Sequence, residues 1–201
     1  MKKLFQSLAV LALFSFTPAD TLLTATERKF AADQLNKSQE FMLKTMKGLS
    51  AAQLNFKSSP TSWSVIECAE HIAISEGLIW GMVDGGMKPP ADPAKRGEVK
   101  MSDDAVIKAI TDRSNKVKTS EAFVPSNKFG SLDGIMKEFS SKRKSHIDYV
   151  NATKDDMRNH YAQTPFGVMD TYQVVLFMSG HTERHTKQML EVMADPNFPK
   201  K

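Results

Sequence analysis

Between Thr24 and Leu49 small and apolar residues return at every third or fourth position, at Ala31, Leu35, Ser38, Met42, Met46 and Leu49, on a charged and polar background. That spacing marks one face of an amphipathic helix. Thr24 with Glu27 makes a capping box for its start, and Gly48 suits its stop. A second helix opens in "SWSVIECAEHIAISEGLIWGMV", where Ser64 and Glu67 form another capping box and Trp63 can staple against Cys68. It should run to about Asp84, where the glycines and prolines of "GGMKPPADPAKRG" force a loop. A shorter polar helix is expected from Asp103 to about Val117, inside the long connection that follows. The third long helix, from about Leu132 to Val150, places Leu132, Met136, Phe139, Ile147 and Val150 on one face, and its "SSKRKS" run, Ser140 to Ser145, reads as a solvated face. The fourth starts at Asp170, with Gln173 in the box position, and runs to about Ala194. No segment shows a sustained period of two.

Four amphipathic stripes of comparable length are buried together most simply in a four-helix bundle, so the expected fold is all-α, with an extra short helix in the long second connection. That connection is long enough to cross the bundle, so a simple up-down-up-down order is not required.

Composition changes this picture at one end of the chain. With 41% hydrophobic and 25% charged residues in 201, the sequence fits one globular domain with its own core. The first residues stand apart: Lys2 and Lys3, an apolar run from Leu4 to Phe16, then small residues near Ala19. This is the layout of a secretory signal peptide, and the run falls short of the ~20 residues that span a bilayer. The expectation is a cleaved segment 1–19, a mature domain 20–201, export to the periplasm or beyond, and no stable membrane anchor. Loss of Lys2 and Lys3 would lower the formal charge of +4 by two, which leaves no electrostatic case for nucleic acid as a partner. Cys68 is the only cysteine, so an exported domain has no internal disulfide and is held by its core or by a metal.

The candidate chemistry lies on the fourth helix. Its stripe runs Val174, Met178, His181, His185, Met189 and Val192, so two histidines occupy apolar positions. Buried imidazoles need partners, and at a spacing of four residues both rings can reach one ion. His71, two turns inside the second helix, can complete a set of three that leaves a coordination position open, the layout of a catalytic zinc site. Hydrogen-bonded core histidines are the competing reading. His146, on the basic helix, and His160, in a loop, read as surface residues. A zincin-type protease places its general base directly after the first histidine, but position 182 is Thr and Glu183 points elsewhere. Cys68 as a fourth ligand would close the site; packing as a small hydrophobe is the preferred reading. Glu70, Glu76 and Tyr172 are conceivable acids or bases, and their spacing selects none.

"SWSVIECAEHI" followed by "HTERHTKQM", with "LSAAQL" ahead of the tryptophan, closely resembles the DinB-like family of metalloenzymes, which carries W-S-x-x-E-x-x-x-H in its second helix and H-x-x-x-H in its fourth. The resemblance runs from about Thr26 to Met193. It implies a bundle of up-down-down-up connectivity and a divalent metal, zinc or nickel, held by His71, His181 and His185. Some members of that family transfer a low-molecular-weight thiol, and others are read as metal-dependent hydrolases. The expected function is therefore an exported metal-dependent enzyme that activates a water or a thiol. An exported bundle that binds metal or ligand without turnover is the alternative. A small-molecule substrate and a homodimer are the partners such an enzyme would have.

Overall fold

The computed structural model describes residues 22–200. The segment read as a signal peptide, 1–19, lies outside the described residues. The described chain is mostly helical, as the all-α reading expects.

Helix α1 spans Ala25–Met46, capped by Thr24, whose backbone N–H donates to Glu27 Oε2 at 2.7 Å while its hydroxyl accepts from Glu27 N. The chain then turns through Gly48, whose φ of 74° is the left-handed stop the sequence suggests. A short helix, α2 at Ala51–Asn55, follows; hydropathy could not mark it, since five residues hold no period. Helix α3, Val65–Met87, starts at the predicted Ser64–Glu67 box and ends three residues beyond Asp84. Helix α4 covers Asp103–Thr111 and stops short of the expected Val117. Helix α5 spans Leu132–Ala152 and α6 spans Thr171–Met193, the latter capped by Asp170. One element departs from the pattern. Strands β1, Tyr161–Thr164, and β2, Gly167–Asp170, form an antiparallel hairpin leading into α6, with Tyr161 opposite Asp170. At four residues each, these strands are too short to show a period of two.

α6 packs against α1, α3 and α4, and α5 packs against α1 and α3. Close contact between α4 and α6 depends on Gly180, because a Cβ there would lie 2.2 Å from Ile110 Cγ2. The core is apolar at both ends of the helices. Ile79, Val83, Val106, Tyr172 and Met178 fill one region, and Met42, Val65, Cys68, Phe139 and Met189 fill the other.

Between these regions lies a charge. The expectation that "SSKRKS" is a solvated face is corrected at Arg143, which is fully buried. Its guanidinium donates to Glu76 Oε1 and Oε2 at 2.8 and 2.7 Å, to Leu35 O at 2.7 Å, to Ser38 Oγ at 2.8 Å and to Thr182 Oγ1 at 2.8 Å. The placement of His146 at the surface is corrected too. Its Nδ1 lies 2.9 Å from Glu76 Oε1, its ring stacks on Trp80 at 4.0 Å, and the residue is buried. Glu76 is thus the counter-ion of the core. His160 is half-buried, with Nδ1 3.2 Å from Gly86 O.

Burial opposes ionisation of Glu76, but the charge and hydrogen bonds of Arg143, helped by His146, outweigh it and hold the carboxyl below its ordinary range. A carboxyl so lowered stabilises the fold above its unfolded pKa of ~4.3, and that contribution is lost as pH falls through the lower folded value. Replacing Glu76 by Gln should cost about 3–5 kcal/mol at neutral pH, because Arg143 is left buried without its partner. Chemical denaturation at a series of pH values checks this: the gap between wild type and Glu76→Gln should narrow below about pH 4.

Candidate metal centre

Three side chains predicted from the sequence meet where the first half of α3 faces the second half of α6. His71 comes from α3, two turns past its cap, and His181 and His185 from successive turns of α6. His71 Nε2 lies 3.2 Å from His181 Nε2 and 3.1 Å from His185 Nε2. All three ligand-capable nitrogens fall within 4.8 Å of one another. His71 and His185 are buried and His181 is partly so.

The opposite ring nitrogens are anchored. His71 Nδ1 donates to Phe123 O at 2.7 Å, and His185 Nδ1 donates to Gln188 Oε1 at 2.9 Å. A carbonyl can only accept, so each Nδ1 carries the proton and each facing Nε2 presents a bare lone pair. Burial pushes the His71 imidazole down to about 4 against the opposing pull of the Phe123 carbonyl. Burial, then the neighbouring His71, pushes His185 down to about 2. His181 is held well below the ordinary range by burial and by the two other rings. His71 and His185 are therefore neutral near neutral pH, and their facing lone pairs, 3.1 Å apart, repel. A cation relieves that repulsion. Ligands about 2.0–2.1 Å from an ion at tetrahedral angles are about 3.3 Å apart, close to the separations His71 makes with its neighbours. The donor set fits a divalent metal.

The walls come from elements that helical periodicity did not select. Trp63 lies with its ring 4.8 Å from that of His71 and 6.1 Å from that of His185, so it packs on the histidines as well as on the cluster that holds Cys68. Phe123 belongs to a single 3-10 turn, Glu121–Phe123, and reaches His71 through its backbone carbonyl. No side-chain pattern could have announced a carbonyl. Gln188, three residues after His185 on the same helix, was within reach of the i, i+3 rule. Cys68 is buried in the core and burial raises its thiol to about 12, as packing rather than ligation requires.

The conceivable acids and bases are committed elsewhere. Glu70 accepts the backbone N–H groups of Asn127 and Lys128, Glu76 pairs with Arg143, and Tyr172 Oη donates to Glu27 O at 2.9 Å. Glu183 binds Lys187 at 2.8 Å, one turn along α6. On its pocket side the site opens through His71, His181 and His185 onto a cavity of about 190 Å³ lined by Ile79, Met82, Phe123 and Phe177.

The family model described as the DinB superfamily matches residues 34–189. Among curated proteins, an uncharacterized protein, YuaE, of Bacillus subtilis (strain 168) is 24% identical over 148 residues, which cover 73% of this chain and 87% of that protein. No solved structure matches.

Gln188 tests whether the anchored ring matters. Its replacement by Ala frees the His185 ring and should weaken zinc affinity about 10–100-fold. Competition titration against a chromophoric chelator measures it, with Glu183→Ala expected to leave the affinity unchanged.

Proposed function

The chain belongs to the DinB superfamily, a metal-binding fold, and on that premise we propose that it is an exported metal-dependent enzyme acting on a small molecule by activating a water or a thiol. One divalent ion, zinc or nickel, is held by His71, His181 and His185. The observation that carries this reading is the pair of anchored imidazoles whose bare Nε2 atoms face each other at 3.1 Å. An up-down-down-up bundle frames the site. Contacts that support this order are Tyr172 on Glu27, both near helix starts, which makes α1 and α6 parallel, and Trp80 on His146 together with Glu76 on Arg143, which makes α3 and α5 parallel. Arg28 at the start of α1 reaches Thr153 O at the end of α5, which sets those two antiparallel.

The ion supplies Lewis acidity that makes a water or thiol nucleophilic near neutral pH. The chain supplies the rest. Phe123 O and Gln188 Oε1 hold two rings in the tautomer that can ligate, and Trp63 fixes their planes. The apolar walls of the cavity exclude water from the reacting group. With Glu70, Glu76 and Glu183 engaged in other bonds, the site offers no free carboxylate among them as a base, which favours a nucleophile that gives up its proton readily. A thiol, with a free pKa of ~8.5, and a zinc-bound water, at ~7, both meet that need without a protein base.

Elemental analysis after reconstitution with zinc and with nickel should find close to one equivalent in wild type and His160→Ala, and far less in His181→Ala. Thiol-transfer and hydrolysis substrates assayed on the same samples should show turnover that follows metal content, with helical circular dichroism retained throughout. Metal content equal in wild type and His181→Ala would sink the reading. N-terminal sequencing of protein from a secreting host tests export: a start near Asp20 is expected, and an intact Met1 in the bulk of the protein would overturn it.

A further inference from the structure

Two cavities of opposite character meet at the histidine cluster. The apolar one, about 190 Å³, is walled by Ile79, Ile110, Phe123 and Phe177. The other, about 560 Å³, is polar and carries Arg113, Lys116, Arg184 and Glu191. They share Val117, Thr119, Arg184 and His185, so a ligand lying in both passes directly beside the site.

The charges in the polar cavity do not cancel. Arg113 is neutralised by Glu191, its Nη2 donating to Oε2 at 2.7 Å. Arg184 is 8% exposed and binds only backbone carbonyls, Ile110 O at 3.3 Å, Asn115 O at 2.7 Å and Asp112 O; among the described residues it has no carboxylate partner within ion-pair distance. Nε and one Nη2 hydrogen remain undonated. A buried cation with spare donors gains from an anion that enters its cavity. Lys116, exposed on the same wall, makes no ion pair among the described residues. The mouth of the apolar cavity is itself apolar: Val117 is 70% exposed and Phe166 40%.

We infer that the site takes a small amphiphilic anion, its carboxylate-class oxyanion seated on Arg184 and Lys116 and its apolar body in the cavity of Ile79 and Phe177. Resting on the metal reading above, this places the atoms between head and body beside His71, His181 and His185. It excludes cationic and fully polar substrates.

The test is calorimetric titration of the metal-loaded mature protein with 4-phenylbutyrate, 4-phenylbutan-1-ol, 4-phenylbutylamine and acetate. The acid should bind at least about tenfold tighter than the alcohol, as a charged hydrogen bond implies, with the amine and acetate weaker still. Lys116→Glu should weaken the acid about twofold to fivefold and leave the alcohol unchanged, whereas Val117→Ser should weaken both by one factor. Both positions are exposed, so neither variant threatens the fold. Equal affinity for acid, alcohol and amine, or no binding by the acid, overturns the inference. The same titrations on His181→Ala separate it from the metal reading. A preference for the acid that persists without metal supports the Arg184 seat even if the metal reading fails; a preference present only with metal makes the ion the receptor and overturns the seat while the metal reading stands.

Discussion

Arg143 joins all four long helices. From α5 it reaches Glu76 on α3, Leu35 and Ser38 on α1, and Thr182 on α6. Apolar side chains would pack these helices with more tolerance for sliding, because one methyl group substitutes for another at small cost. A buried guanidinium does not tolerate it. A slide of any helix by one turn takes a partner out of reach and leaves charge without compensation, at a cost of several kcal/mol. The cation therefore selects one register and one rotation for each helix, between two apolar regions that alone would permit several.

That selection reaches the histidines through α6. Thr182 bonds to Arg143, and the residue before it, His181, is carried about 100° around the helix toward α3 and the cavity. His185 follows one turn on, and Gln188 locks its ring from the same helix. The rings are thus neutral by construction. Burial keeps the rings uncharged, and the nearby carboxylates are spent on caps, loops and ion pairs, so the bare lone pairs of His71 and His185 meet without acidic competition. A donor set built this way offers a cation nitrogen atoms.

What the sequence made legible and what it hid divide along a physical line. Capping boxes at Thr24 and Ser64 and the N-cap at Asp170, whose expected return bond from Gln173 goes instead to Met101 O and Asp103, are local chemistry, and they located three helix starts. The stripe containing His181 and His185 is also local, and His71 joined it through periodicity on a second helix. Arg143 was hidden because hydropathy prices a lysine and an arginine alike, and "SSKRKS" contains both. Lys142 and Lys144 do lie outside, paired with Glu138 and Asp148, so the run was misread at a single position. His146 is hidden for a different reason: its buried partner Glu76 is 70 residues away in the chain. The carbonyl of Phe123 leaves no trace in side-chain identity at all. Long-range polar pairing and backbone ligation were the invisible part.

The connection between α3 and α5 shows how that invisible part shapes the cavity. Its α4 and the turns after it supply Ile110, Val117, Thr119 and Phe123 to the cavity walls, yet only α4 carries a helical stripe to bury. Charged side chains of the helices pin the rest by its backbone: Arg184 on the carbonyls at 110, 112 and 115, and Glu70 on the amides of Asn127 and Lys128. Such bonds to charged groups contribute about 1.5–3 kcal/mol each and depend on backbone groups that every residue except proline shares in full. The cavity-lining side chains of Val117 and Thr119 take no part in these bonds. The three histidines sit on rigid helices, whereas part of the cavity wall sits on a segment held largely by its main chain.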